Sequence, residues 1–65
     1  MRIIVNNEPR ETRRRTLAEL LEELGFGGAA VATAVNGSFT PASERHSRAL
    51  AEGDRVEVLA PMQGG

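Results

Sequence analysis

The residues of this chain best suited to reactive chemistry are its last two, Gly64 and Gly65, which follow Pro61-Met62-Gln63. A free α-carboxylate has a pKa of about 3.5, so at neutral pH it is ionised and a poor electrophile. To become an acyl donor it must be activated, typically by ATP, as a mixed anhydride with AMP. The sequence contains no lysine and no G-x-x-x-x-G-K-[ST] phosphate loop, which places the activating site in a partner. Glycine suits such a role because, with no Cβ in the way, a narrow channel can close directly on its backbone. The segment Pro61–Gly65 reaches about 17 Å when extended, far enough to leave a domain surface and enter another protein's active site. The plainer account of a diglycine end is a frayed terminus without a role.

Other patterns carry less. Gly25-Phe26-Gly27-Gly28-Ala29-Ala30 fits the spacing G-x-G-x-x-[GA], but dinucleotide binding needs those glycines after a strand and before a helix. Here they follow a helical pattern and precede a strand-like one, so a helix C-cap and a connecting loop explain them. Asn36-Gly37-Ser38 matches a glycosylation sequon, yet Asn-Gly is also a strong hairpin signal and nothing points to secretion. His46 has no second histidine and no cysteine with which to share a metal, and reads as a loop residue. Asp54 follows Gly53 at a turn signal, without an adjacent acid–base partner. Arg13-Arg14-Arg15 reads as a solvated edge strand whose charges discourage edge-to-edge pairing. Its functional alternative is a docking contact with an acidic partner or a phosphate; without interleaved aromatics it makes a poor nucleic-acid site.

The elements that must position the glycines are few. In 65 residues there is room for one small domain, burying about 60% of the surface its unfolded chain exposes. A substrate cavity walled on all sides is not expected. Eight basic against nine acidic residues give a formal charge of −1, which directs the chain toward neither nucleic acid nor membrane. The absence of cysteine excludes a disulfide framework, a thiolate metal site and a thiol nucleophile. The chain opens on MRIIVN with no basic-then-apolar leader, and the expected setting is the cytoplasm.

In that opening segment Met1, Ile3 and Val5 alternate onto one face and Arg2, Ile4 and Asn6 onto the other, as in a half-buried strand. Asn6-Asn7-Glu8-Pro9 reads as a turn in which proline halts the ladder, with Arg10–Arg14 returning as a short polar strand. Thr16 and Glu19 fit a capping box, and Leu17, Leu20, Leu21 and Leu24 form the stripe of a helix over Thr16–Leu24 that ends at Gly25. Ala29–Val35 and Ser38–Thr40 form a hairpin around Asn36-Gly37, closed by Pro41. Ala42–Ala51 reads as a loop with a helical turn. Arg55–Ala60 is a last strand with Val56, Val58 and Ala60 inward and Arg55, Glu57 and Leu59 outward. One helix across one face of a mixed sheet makes an α+β domain over residues 1–60, with 61–65 as a flexible tail.

This order, with the terminal Gly64-Gly65, resembles the ubiquitin-like β-grasp fold of about five strands and one main helix. Within it, MRIIVNNEP, TLAELLEELG, VATAVNGSFTP and LAEGDRVEVLAPMQGG are similar to the bacterial thiamine-pathway sulfur carrier family, ThiS. The resemblance implies that an E1-like adenylating enzyme, using ATP and magnesium, adenylates the terminal glycine. Sulfur from a persulfide, supplied by a cysteine desulfurase or a persulfide protein, then leaves a thiocarboxylate that serves thiazole synthase. Gly65 would carry the sulfur and Gly64 would thread beside it. No cofactor is expected on this chain itself, which would be a substrate and carrier rather than an enzyme.

The β-grasp order also makes the first and last strands parallel neighbours. This puts Ile4 and Leu59 on the face away from the helix, with Phe39 nearby, as an expected partner-docking patch; scattered surface residues are the alternative. Rival functions are the small subunit of molybdopterin synthase, whose chains usually run longer, and a ubiquitin-like protein modifier, for which the missing lysines preclude self-linked lysine chains. A binding module acting through Arg13–Arg15 ranks last, and predicts that loss of Gly64-Gly65 is harmless.

Overall fold

The computed structural model describes residues 1–27 and 30–60. Five strands and one helix follow in the order β1 (Arg2–Val5), β2 (Glu8–Glu11), α1 (Leu17–Glu23), β3 (Ala32–Val35), β4 (Ser38–Thr40) and β5 (Arg55–Leu59), with a 3₁₀ turn at Ala42–Glu44. The sheet order is β2-β1-β5-β3-β4. β1 and β5 are parallel neighbours at the centre, and the other pairings are antiparallel. This is the expected mixed sheet of an α+β domain, and the last strand sits in its middle.

Both hairpins turn on two residues at positive φ, Asn6-Asn7 (49° and 70°) and Asn36-Gly37 (52° and 84°). That pattern belongs to the type I′ turn, whose twist matches the strands it joins. The first turn is therefore shorter than the expected Asn6–Pro9, and the second strand is Glu8–Glu11 rather than Arg10–Arg14. Pro9 does not halt this ladder. It lies opposite Ile4, whose own N–H donates to Asp54 O at the start of β5, at 2.9 Å. At such a position on an edge strand the proline nitrogen faces outward, where no hydrogen bond is lost. Arg13–Arg15 consequently fall beyond the edge strand, in the connection to α1.

The helix forms as its sequence directs. Thr16 Oγ1 accepts from Glu19 N (3.2 Å), and Glu19 Oε1 accepts from Thr16 N (3.3 Å), completing the capping box. Two further free donors of the first turn are satisfied by the later loop: Leu17 N donates to Arg48 O (2.9 Å) and Ala18 N to Arg45 O (3.1 Å). At the other end Gly25 (φ 91°) makes a Schellman motif, in which Gly25 N donates to Glu22 O (3.1 Å) and Phe26 N to Leu21 O (2.8 Å). Phe26 then packs on the core.

The core consists of Ile3, Leu17, Leu20, Leu21, Val35, Leu50, Val56 and Val58, with Met1, Val5, Leu24, Phe26 and Val31 against it. Leu50 lies in the segment read as a loop. Its N–H donates to Arg15 O (2.8 Å), and a bridge between Thr16 and Ala49 holds this stretch against the helix start. Thr33 and Thr40 are buried polar residues, and the Thr33 hydroxyl donates to Thr40 O (2.8 Å) while accepting from Arg45 Nε (3.2 Å). Ala60, expected inward, is exposed because β5 ends at Leu59. No described helix is long and apolar enough to cross a membrane.

Candidate functional site

Gly64 and Gly65, the expected sulfur-bearing end, lie outside the described residues, as do Pro61–Gln63. The structure does describe their base. β5 runs between β1 and β3, with Val56 and Val58 buried beneath it in the core, and reaches Leu59 and Ala60 immediately before the tail.

Two asparagines bracket this strand. At its start, Asn36 N donates to Arg55 O (2.7 Å) and Asn36 Oδ1 accepts from Arg55 N (3.0 Å). Asn36 Nδ2 donates to Asp54 Oδ1 (3.0 Å), while Asp54 Oδ2 accepts from Ala51 N (2.8 Å). Asp54 is thus a turn residue, as expected from its place beside Gly53. Farther along β5, Asn6 N donates to Val56 O (2.9 Å), and toward the strand's end Asn6 Oδ1 accepts from Val58 N (2.8 Å) and Asn6 Nδ2 donates to Val58 O (3.2 Å). The sequence marks both asparagines only as turn formers. That each lays its amide on a strand distant in the chain depends on tertiary pairing that no local pattern encodes.

The outer face of the sheet, opposite α1, carries the expected docking residues. Phe39 is 68% exposed and Leu59 72%. Phe39 lies opposite Ala34 and Leu59 opposite Ala32, so these four make an apolar strip over β4, β3 and β5, with Glu57 beside it opposite Ala34. A shallow groove runs along it beside Asn6 and Asn7. The strip continues past Leu59 to Ala30, Val31 and Ala60, at the foot of the tail. Ile4 is half-buried on the same side of the sheet but pairs with Arg55, at the opposite end of β5 from Leu59, and does not line this groove. The structure therefore joins Phe39 to Leu59 and leaves Ile4 apart.

Among the other candidates, Arg14 Nε pairs with Glu23 at 3.2 Å and Arg10 Nε with the same carboxylate at 3.5 Å. Arg13 and Arg15 are exposed. Exposed ion pairs of this kind contribute little to stability. His46 is exposed, and among the described residues no group of acids and histidine could hold a metal ion. Of the glycine-rich segment, Gly28 and Ala29 lie outside the described residues, while Gly25 serves the helix C-cap.

The described residues make a small body with an open apolar face, and residues 61–65 follow in sequence directly on the central strand. Known proteins agree in fold. The crystal structure of the thiamine biosynthesis protein (ThiS) of Geobacter metallireducens is similar with a TM-score of 0.84 at 29% identity, each chain covered completely. The solution structure of a thiamine biosynthesis protein from the same organism gives 0.81 at 28% identity, covering all of this chain and 88% of the other. The sulfur carrier protein ThiS of Thermus thermophilus is 44% identical over 61 residues, 94% of this chain and 95% of its own. The model of the ThiS family itself matches residues 3–65, so that the β-grasp body and the terminal glycines fall within a single match, and the chain belongs to the ThiS family.

Proposed function

We propose that this chain is a sulfur carrier protein of thiamine biosynthesis, and that Gly65 is the residue that carries the sulfur. The observation that carries the reading is the family match through residue 65, which includes Gly64-Gly65. In this reading an oxygen of the Gly65 carboxylate attacks the α-phosphorus of ATP on an E1-like adenylating enzyme that binds magnesium. Pyrophosphate leaves, and the acyl carbon becomes electrophilic. A persulfide sulfur from a cysteine desulfurase or a persulfide protein adds at that carbon and expels AMP. Cleavage of the resulting acyl disulfide by a thiol leaves the thiocarboxylate, which passes its sulfur to thiazole synthase.

Residue types in this chain fit each demand made of it. Gly64 allows the tail to thread where a side chain would collide. The thiocarboxylate sulfur belongs to the terminal acyl group, so the carrier needs no cysteine, and it has none. Phe39 and Leu59, without Ile4, supply the apolar surface on which the adenylating enzyme docks, in a cytoplasmic setting.

Intact mass spectrometry of the chain from its native cells, compared with a form lacking Gly65, tests this. The expected result is a mass gain matching one oxygen replaced by sulfur, localised to the C-terminal peptide and absent from the shortened form. A terminus that stays a free carboxylate with ATP, sulfide and the adenylating enzyme supplied would overturn the reading. A tail found joined to lysines of other proteins would replace it with a protein modifier.

A further inference from the structure

Resting on the carrier reading, we infer that Asn6 is a positioning residue, whose side-chain amide fixes the direction in which the C-terminal segment leaves the domain. The ladder between β1 and β5 has as main-chain rungs Ile4 N to Asp54 O and Asn6 N to Val56 O, both 2.9 Å. At Asn6 the chain turns away toward β2, at φ 49° and then 70°. β5 nevertheless continues to Leu59.

From Val58 onward, β5 keeps its β3 neighbour, with Thr33 opposite Val58 and Ala32 opposite Leu59. On the β1 side its backbone partner is the Asn6 side chain, which accepts from Val58 N and donates to Val58 O. A primary amide has the same donor and acceptor as a peptide group, so Asn6 adds one more rung where β1 has already left. Among common residues asparagine also tolerates the left-handed backbone that this turn requires. Aspartate would tolerate it too but could not donate to Val58 O.

Asn6 is exposed, whereas Val58 is buried and the two bonds between them are partly buried. The amide therefore satisfies the Val58 peptide groups and, unlike water, gives them a fixed direction. Ala60 directly precedes residues 61–65, so the course of β5 at Val58 sets where that segment begins. Reaction rates respond to displacements of about 1 Å. Held on both sides, β5 delivers the terminal carboxylate from a defined origin; held on one, it pivots about β3.

The test compares Asn6→Gly, which keeps the turn and removes the amide, with wild type and with Thr16→Ala, which weakens the helix cap far from β5. Amide hydrogen exchange is read at Val58, and ATP–pyrophosphate exchange with the adenylating enzyme is read as KM and kcat for the carrier at a temperature where all three are folded. Asn6→Gly is expected to speed Val58 exchange and to raise KM roughly three- to tenfold, the loss typical of removing preorganisation. Thr16→Ala is expected to keep the wild-type KM, and Asn6→Asp, retaining only the acceptor, to fall between. Wild-type Val58 exchange or wild-type kinetics in Asn6→Gly, or an equal KM change in Thr16→Ala, would overturn the inference. A wild-type chain that supports no exchange at all would defeat the carrier reading itself.

Discussion

Glu19 and Glu23 show how single carboxylates tie this small chain together. Glu19 Oε1 accepts from Arg15 N (3.0 Å) and Thr16 N (3.3 Å). The Arg15 N–H is the main cause that holds its carboxyl below the ordinary 4.5, against slight desolvation, with Thr16 and the Arg14 charge adding to it. At Glu23 partial desolvation pushes upward, but hydrogen bonds from Thr12, Arg14 and Arg10, with the Arg10 charge, outweigh it and leave the group below 4.5. A carboxyl whose folded pKa is depressed contributes stability above its unfolded value and loses it as pH falls through the folded one. The melting temperature is therefore expected to fall as pH drops below about 4.5, and the double variant Glu19→Gln/Glu23→Gln to show a flatter profile there and a lower value at pH 7 than wild type. Thermal denaturation followed by circular dichroism checks this, and equal slopes for the two chains would contradict it. The Glu19 contact was legible, because threonine and glutamate three apart define a capping box. The Glu23 contacts were not, since Arg10 and Arg14 reach it from outside the helix. Asn6 is the same case: its turn role is local, and its bond to Val58 spans the chain.

The elements divide along the same line between local and distant causes. The helix, the Asn36-Gly37 hairpin and the final strand each have a complete signal within a dozen residues. The helix and the final strand formed within a residue of where the sequence placed them, and the hairpin turned on the expected pair. The second strand did not follow, because the effect of Pro9 depends on which side of a ladder its nitrogen faces. That is settled by Ile4 turning its N–H toward β5. Leu50 likewise joins the core through a contact with the helix start that no periodicity announces. Gly25 offers a clean test at this level. A Cβ there would meet open space, so the cost of Gly25→Ala comes from backbone conformation alone, at φ 91°. It is expected to destabilise by about 1–2 kcal/mol, with Gly25→Asn costing less. Urea denaturation resolves that difference, and an alanine variant as stable as wild type would mean that the Schellman turn can be remade without positive φ.

With one helix and one sheet, a domain of this size can cover a single sheet face, and the other is left for solvent or a partner. Here the uncovered face is graded. Arg55 occupies the first part of β5's outer row, Glu57 lies opposite Ala34 inside the groove, and Phe39, Ala34, Ala32 and Leu59 supply the groove's apolar lining toward the end of β5. If this strip is where the adenylating enzyme docks, anchoring and delivery are coupled, because the last residues of the strip directly precede the segment to be activated. Phe39→Asp and Leu59→Asp test the coupling. Both side chains are mostly exposed, so folding stability is expected to change by no more than about 0.5 kcal/mol. A buried interface anchor is worth about 2 kcal/mol, so each variant is expected to lower kcat/KM for adenylation roughly thirtyfold. Ile4→Asp, at the other end of β5, is expected to act more weakly on adenylation and more strongly on stability, because Ile4 is half-buried and lies outside the groove. Unchanged kinetics for Phe39→Asp and Leu59→Asp would show that the enzyme grips the tail without this face. Equal losses at all three positions would extend the docking surface across the whole outer sheet, beyond the groove that Asn6 lines.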